Sequence, residues 1–103
     1  MSDEWHLYLV RTREGTLYTG IAKDVSRRLG EHEGAGDRGA KYLRSRGPLE
    51  LVYQAPIGDR SLASKVEHCV KRLTREQKEA IVTENPAAPR LLSRFGLEEG
   101  STT

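Results

Sequence analysis

Residues 5–21, WHLYLVRTREGTLYTGI, hold two short runs of aromatic and β-branched residues separated by a polar connection. Such runs favour β-strands, and a three-residue loop that ends in glycine is a common hairpin closure because glycine accepts a positive φ. With Gly15 at that loop position, Tyr8 is paired with Gly20. The sequence therefore predicts a β-hairpin that fixes the positions of its tyrosines.

This register places Tyr8 and Tyr18 on one face of the sheet as diagonal cross-strand neighbours. Gly20 has no side chain and leaves open space opposite Tyr8. A two-residue loop would instead place the two tyrosines on opposite faces. The grouping of the tyrosines therefore depends on the length of the loop.

Two elements are predicted after the hairpin. Asp24 is a suitable N-cap for a helix that runs to about Glu33. Arg28 and His32 share the stripe that this helix is expected to bury, which is unexpected for polar side chains. Residues 49–55 then read as a third strand.

The clearest helix begins after Asp59, and a second helix begins at the capping-box sequence of residues 74–77 and runs to about Glu84. Glu67 is expected at the edge of the first helix, beside the core stripe. The stripe is predicted to comprise Leu62, Val66, Cys69, Val70 and Leu73.

The order of elements predicts an α/β fold, with a small three-stranded antiparallel sheet flanked by helices in an α/β sandwich. With 103 residues, the chain has the length of one domain. We assign residues 1–84 to the folded domain and residues 85–103 to a C-terminal tail that is expected to be partly mobile.

Composition and the N-terminal residues predict in which compartment the protein occurs. The hydrophobic fraction is 36%, and no apolar run approaches the ~18 residues of a membrane-spanning helix, so no membrane association is expected. The acidic N-terminus has no basic leader or cleavage site, which predicts a cytoplasmic protein. The lone Cys69 has no partner for an internal disulfide and is expected to be a small buried residue.

The charge is distributed unevenly, although the formal net charge is only +2. Residues 23–46 carry seven Lys or Arg against four Asp or Glu, and residues 60–78 carry six against two. If folding brings these segments together, they form a surface for the phosphate backbone of a nucleic acid. Charge alone favours the simpler alternative, that they are solvated helix faces.

Five residues have the chemistry needed for phosphodiester hydrolysis, which requires a base for the attacking water and positive charge around the phosphate. A single carboxylate suits Mg²⁺, which keeps most of its water ligands. Taken one at a time, each side chain also has an ordinary structural explanation. The five candidates are Tyr8, Tyr18, Arg28, His32 and Glu67.

The order and spacing of these residues, from His6-Leu7-Tyr8 through Tyr18-Thr19-Gly20 to the later helical glutamate, resemble the GIY-YIG nuclease family. The resemblance extends over residues 5–82 and is strongest to small, stand-alone bacterial members. It implies a single divalent-metal site, for Mg²⁺ or Mn²⁺, that serves to cut nucleic acid. It also implies catalytic roles for Tyr8, Tyr18, Arg28 and His32, a metal-binding role for Glu67, and a motif glycine at Gly20.

The sequence departs from the family pattern at two places. His6-Leu7 replaces the Gly-Ile of the first motif, and Glu79 stands where several family nucleases have an asparagine. Lys71 or Lys78 is a candidate for the phosphate-binding role of that asparagine.

The leading hypothesis is a metal-dependent endonuclease that acts on DNA, in repair or recombination, with a partner protein supplying specificity. The alternatives are a nucleic-acid-binding module without turnover and a protein adaptor. The sequence leaves the general base open among Tyr8, Tyr18 and His32.

Overall fold

The computed structural model describes residues 4–30 and 49–97. Their three antiparallel strands are β1 (Trp5–Arg11), β2 (Leu17–Ala22) and β3 (Glu50–Gly58), arranged in the order β2-β1-β3. The helices of these residues are α1 (Val25–Gly30), α2 (Arg60–Lys71), α3 (Arg75–Glu84) and α4 (Ala88–Arg94). The predicted α/β class with a small three-stranded antiparallel sheet is confirmed.

The hairpin has the predicted register. Tyr8 pairs with Gly20, and Val10 pairs with Tyr18. The loop is closed by the N–H of Gly15, which donates to the carbonyl oxygen of Thr12 at 2.8 Å. Gly15 has a φ of 89°, the left-handed conformation that glycine adopts without strain. Both tyrosines therefore lie on the same face of the sheet.

The two faces of the sheet contribute to separate hydrophobic clusters. The larger cluster packs β1 and β3 against α2, α3 and α4. Its buried residues are Leu7, Leu9, Tyr53, Ala55, Ile57, Ala63, Val66, Val70, Ile81, Leu91 and Leu92. The smaller cluster, on the face that carries the tyrosines, has Tyr8, Val10, Ala22 and Val25 buried. We call these the large core and the small core.

Helix α2 begins at the predicted cap, where the Asp59 carboxylate accepts a hydrogen bond from the Leu62 backbone N–H at 2.8 Å. Its buried residues are Ala63, Val66 and Val70, whereas Leu62, Cys69 and Leu73 are half-buried. The buried face of α2 is therefore rotated from the predicted one, towards Ala63 and away from Leu62 and Cys69. The small side chain of Ala63 allows the helix to pack closely on the sheet.

The C-terminal part of the described chain belongs to the large core. The predicted capping box of Thr74 and Gln77 is confirmed at the start of α3. Leu91 and Leu92 of α4 are buried in the same cluster as the sheet residues. The predicted division after residue 84 does not coincide with a break in packing, since residues 88–94 form a core helix.

The ends of β3 and α1 are compared with the prediction next. Strand β3 continues to Gly58, three residues past the predicted end, and so leads almost directly into the Asp59 cap. Helix α1 begins as predicted, and its described part ends at Gly30. His32 and much of the first basic segment lie outside the described residues. Within the described part of the chain, no helix has the length and apolar character needed to span a membrane.

Candidate active site

A cavity of about 220 Å³ lies beside β2, an edge strand of the sheet. Side chains from both faces reach it, since Tyr8 and Tyr18 come from the small-core face and α2 packs on the large-core face. Its walls are formed by Tyr8, Val10, Tyr18, Thr19, Gly20, Ile21, Arg28, Glu67 and Lys71. Four of the five predicted candidates therefore meet at one cavity, which we call the tyrosine cavity.

The phenol of Tyr8 lies over Gly20. A Cβ atom built on Gly20 would be 2.5 Å from Cζ of Tyr8 and would also overlap the hydroxyl oxygen. Tyr8 is buried, at 5% exposure, so the ring has little room to move away. Glycine at position 20 therefore allows the Tyr8 hydroxyl to reach the edge of β2, as the open space in the predicted register suggested.

Arg28 reaches the cavity from α1, but it is not buried as the helix periodicity predicted. Val25 is buried and Leu29 is half-buried against the small core, whereas Arg28 is exposed. Val25 and Leu29 hold the helix on the sheet. The long Arg28 stem carries its guanidinium along the surface to the tyrosine cavity.

Several groups affect the protonation of Tyr8. Burial is the largest influence and raises the pKa of the phenol above its usual value of 10.0. A hydrogen bond with Arg28 and the positive charge of Arg28 lower this pKa, whereas the negative charge of Glu67 raises it. The net pKa is raised, so the phenol is protonated at neutral pH.

Glu67 stands at the edge of α2, as predicted, with 23% of its side chain exposed. The Lys71 ammonium, one helical turn later, lies 3.3 Å from a Glu67 carboxylate oxygen. Among the described residues that line the tyrosine cavity, Glu67 is the one acidic side chain. The carboxylate thus faces the cavity while an exposed lysine partly neutralises it.

Lys78 and Glu79 lie on α3 and do not line the tyrosine cavity. Glu79 instead forms a bidentate pair with Arg11, with nitrogen to oxygen distances of 2.7 and 2.9 Å. This pair joins α3 to the end of β1. The residue that departs from the family pattern therefore has a structural partner, and of the two candidate phosphate-binding lysines only Lys71 faces the cavity.

The donor set of the cavity, one carboxylate beside hydroxyl groups, is compatible with a hard divalent cation such as Mg²⁺ or Mn²⁺. No group of three or more His, Cys, Asp and Glu side chains suitable for a metal occurs within residues 4–30 and 49–97. This excludes a zinc-type cage from the described part of the chain. One carboxylate beside hydroxyl groups is sufficient for Mg²⁺, because that ion retains several water ligands.

A second cleft, of about 610 Å³, adjoins the tyrosine cavity, and sequence reasoning did not identify it. Ile21, Arg28 and Glu67 contribute to both. Its far wall is Trp5, which the sequence indicated simply as a strand residue. The signal available in the sequence was the tryptophan at the start of β1, but its neighbours in the cleft are far away along the chain.

Residues 4–80 match the family model described as the GIY-YIG catalytic domain. The matched residues include both strands of the hairpin, α2 and the first half of α3. Since the match covers most of the chain, the protein belongs to the GIY-YIG family. The expected family resemblance is thereby confirmed.

Close relatives carry the name UPF0213. The chain is 52% identical to a UPF0213 protein of Sodalis glossinidius over 100 residues, which cover 97% of this chain and 89% of the relative. It is also 52% identical to the UPF0213 protein YhbQ of Escherichia coli over 95 residues, which cover 92% and 93% of the two chains.

Two solution NMR structures have a similar fold. A UPF0213 protein from Bacillus halodurans is 33% identical, with a TM-score of 0.52 and coverage of 97% of this chain and 99% of that one. A protein from E. faecalis is 29% identical, with a TM-score of 0.54 and coverage of 99% and 96%. Both comparisons support the described architecture over nearly the whole length.

Proposed function

We propose that the protein is a divalent-metal-dependent endonuclease that hydrolyses phosphodiester bonds in DNA. The observation that carries this proposal is the meeting of Arg28, Tyr8, Tyr18 and Glu67 at one cavity beside β2. Phosphodiester hydrolysis requires positive charge around the phosphate and a base for the attacking water. The arginine and a metal held by the carboxylate would supply the charge, and the phenols are candidates for the base. A role in DNA repair or recombination is part of the same proposal.

Arg28 and Glu67 have different tasks. Arg28 lines the cavity and binds a phosphate oxygen, so its guanidinium stabilises the negative charge that grows in the transition state. Glu67 would hold the divalent cation, Mg²⁺ or Mn²⁺, through its carboxylate. When bound, the cation supplies positive charge for the phosphate and polarises the attacking water.

The protonated phenol of Tyr8 orients water or phosphate as a hydrogen-bond donor. For Tyr8 to accept a proton, its pKa must be lowered against the effect of burial, which is the largest influence, and of the Glu67 charge; Arg28 acts in that direction. Tyr18, half-buried on the same face, completes the wall of the cavity. The candidates for the general base are Tyr8, Tyr18 and His32, of which His32 lies outside the described residues.

One observation favours a second candidate, a nucleic-acid-binding module without turnover. The Glu67 carboxylate already has a positive partner in Lys71. A carboxylate that is partly neutralised by its own helix neighbour repels phosphate less, so the surface is better suited to binding without a metal. The two candidates differ in what happens when Mg²⁺ is added.

The test is incubation of the purified protein with labelled single-stranded, duplex, flap and branched DNA in Mg²⁺, Mn²⁺ or EDTA. Cleavage is expected with either metal and not with EDTA. Glu67→Gln is expected to abolish it, because the charged ligand is lost while the side-chain volume is kept. The matched control is Glu76→Gln, an exposed helix glutamate on α3 away from the cavity, which should retain full activity.

Cleavage by Glu67→Gln at the rate of the unaltered protein, with a native circular dichroism spectrum, would refute the catalytic proposal. DNA binding at low salt without cleavage in any metal would favour the binding module instead. If the protein neither binds nor cleaves any of these substrates, the adaptor hypothesis is favoured.

Lys71 provides a finer test of the same site. Because its ammonium competes with the cation for Glu67, Lys71→Met should lower the Mg²⁺ concentration that gives half-maximal activity. The same change should weaken DNA binding, since a phosphate-binding charge is lost. An unchanged Mg²⁺ requirement would show that the ion pair plays no part in metal binding.

A further inference from the structure

The cleft beside the tyrosine cavity has an aromatic wall and a basic rim. Trp5 is half-buried, and its indole packs in part against the large core. The Arg60 guanidinium lies 5.5 Å and the Lys23 ammonium 5.9 Å from the centre of its ring. We call the whole cleft the tryptophan cleft.

The charge of the cleft walls is positive. Lys23, Arg27, Arg28 and Arg60 face two carboxylates, Asp24 and Glu67. Asp24 is engaged as the cap of α1, where it accepts a hydrogen bond from the Arg27 backbone N–H at 3.1 Å. The remaining field attracts a polyanion such as a nucleic-acid backbone.

The position of the cleft connects it to the candidate chemistry. Arg28 and Glu67 form part of its wall and part of the wall of the tyrosine cavity. A strand whose phosphate lies at Arg28 would therefore continue past Trp5. The cleft volume of about 610 Å³ is in the usual range for small-molecule sites and can accommodate a nucleotide.

The backbone at Trp5 is also irregular. The pairing of β1 with β3 changes register between Trp5 and His6. Irregularities of this kind redirect side chains and are frequent beside functional sites. Proteins that bind single-stranded nucleic acids use an aromatic ring flanked by cations. A base stacks on the ring, and the cations bind the phosphates.

We propose that the tryptophan cleft is a subsite for an unpaired nucleotide next to the scissile phosphate. Its base stacks on Trp5 or on the Arg60 guanidinium above it, and Lys23 and Arg27 bind the flanking phosphates. This inference rests on the proposed function, because it places the nucleotide beside the tyrosine cavity. It adds a preference for bases that are not held in a duplex.

Trp5 is the single tryptophan of the chain, so its fluorescence reports on the cleft directly. The experiment is a titration in EDTA, where no metal supports cleavage, with a ten-residue oligothymidylate and with an abasic oligonucleotide of equal length and charge. The thymidylate should quench the emission in a saturable, salt-dependent manner. The abasic strand should bind about tenfold more weakly, as expected for the loss of a stacked base, and quench little.

Variants separate stacking from packing. These variants have no tryptophan, so their binding is followed by the fluorescence anisotropy of dye-labelled strands. Trp5→Ala should reduce the preference for thymidylate over the abasic strand to near unity, whereas Trp5→Phe should keep most of it. Because Trp5→Ala also removes core contacts, its circular dichroism spectrum is compared with that of the unaltered protein. The fluorescence titration of the unaltered protein tests the proposal even if that variant does not fold.

Equal affinity for the two strands, or equal quenching by heparin, would overturn the subsite and leave a general anion-binding surface. Cleavage with Mg²⁺ but no base dependence would refute the subsite and retain the nuclease. Base-dependent quenching without cleavage in any metal would retain the subsite and refute hydrolysis.

Discussion

The two faces of the sheet differ in how their interiors are built. Among residues 4–30 and 49–97, the large core combines eleven buried residues from two strands and three helices, whereas four residues are buried in the small core. The buried residues of the large core are aliphatic apart from Tyr53. The small core includes Tyr8, whose polar end faces a cavity. The described part of the large core is thus built for apolar packing, whereas the small core orients candidate catalytic groups.

The contrast follows from the alternation of side chains along β1. Leu7 and Leu9 point to one side, and Tyr8 and Val10 to the other. Adjacent residues of β1 therefore have different roles, one set in the large core and the other beside the tyrosine cavity. Changes on the two sides should separate stability from activity.

The largest effect is expected for Leu9→Ala. Leu9 is fully buried in the large core, so the deletion should lower the free energy of unfolding by about 2–5 kcal/mol. Tyr8→Phe, one residue away, should change the free energy of unfolding far less and reduce cleavage instead. Urea denaturation followed by circular dichroism checks the first, and the DNA assay checks the second. Equal destabilisation by the two changes would contradict the comparison.

Gly20→Ala should have the next largest effect, on activity. The new methyl group would displace the Tyr8 phenol from its place over residue 20. A shift of about 1 Å in a catalytic group can cost about 100-fold in rate. Cleavage rates of the variant and of the unaltered protein provide the measurement.

A double-mutant cycle then identifies the cause. If Gly20→Ala acts through Tyr8, its effect on the rate should largely vanish in a Tyr8→Phe background, where the hydroxyl is already absent. Additive effects on the rate would show that Gly20 acts in some other way.

Tyr53→Phe tests how one hydrogen bond contributes to the stability of the large core. The Tyr53 hydroxyl donates to the Pro86 carbonyl oxygen at 2.7 Å, which joins β3 to the segment between α3 and α4. Tyr53→Phe removes this donor and leaves the buried Pro86 carbonyl oxygen without a hydrogen bond from Tyr53. The change should lower the free energy of unfolding by about 1–2 kcal/mol. The free energy of unfolding at neutral pH, from urea denaturation, is the test.

The same residue predicts a pH dependence. Burial raises the pKa of Tyr53 to about 12 from its usual 10.0. The unfolded protein then ionises first, so this contribution to stability is complete below pH 10 and is lost as the pH rises towards 12. Tyr53→Phe should remove that part of the alkaline decline. An unchanged alkaline profile in the variant would show that Tyr53 does not determine it.

Local signals explain what the sequence predicted well. The hairpin follows from Gly15 and the strand runs around it, and the capping box of residues 74–77 fixes the start of α3. These features depend on neighbours within a few residues. The register of Tyr8 and Tyr18 could therefore be predicted from the amino-acid sequence alone.

Packing explains what was missed. The sequence favoured Leu62 and Cys69 for the buried stripe of α2, but the sheet selects Ala63. Helix α4 has no side-chain N-cap hydrogen bond, and the proline in its first turn is the one start signal that the cap region offers. The tryptophan cleft depends on cations more than fifteen residues from Trp5 along the chain, and no local pattern joins them.

The smallest effect is expected at the Arg11–Glu79 pair, which joins the end of β1 to α3. Hydrogen bonding to Arg11 lowers the pKa of Glu79, so the stability gained from the pair is present above the usual carboxyl range and is lost as the pH falls through the lowered pKa. Because about a third of each side chain is exposed, Glu79→Gln should cost only about 0.5–1 kcal/mol at pH 7. The difference from the unaltered protein should shrink in acid. A cycle with Arg11→Met isolates the pair, and a coupling energy that does not change between pH 7 and acid would show that the carboxylate charge is not its source.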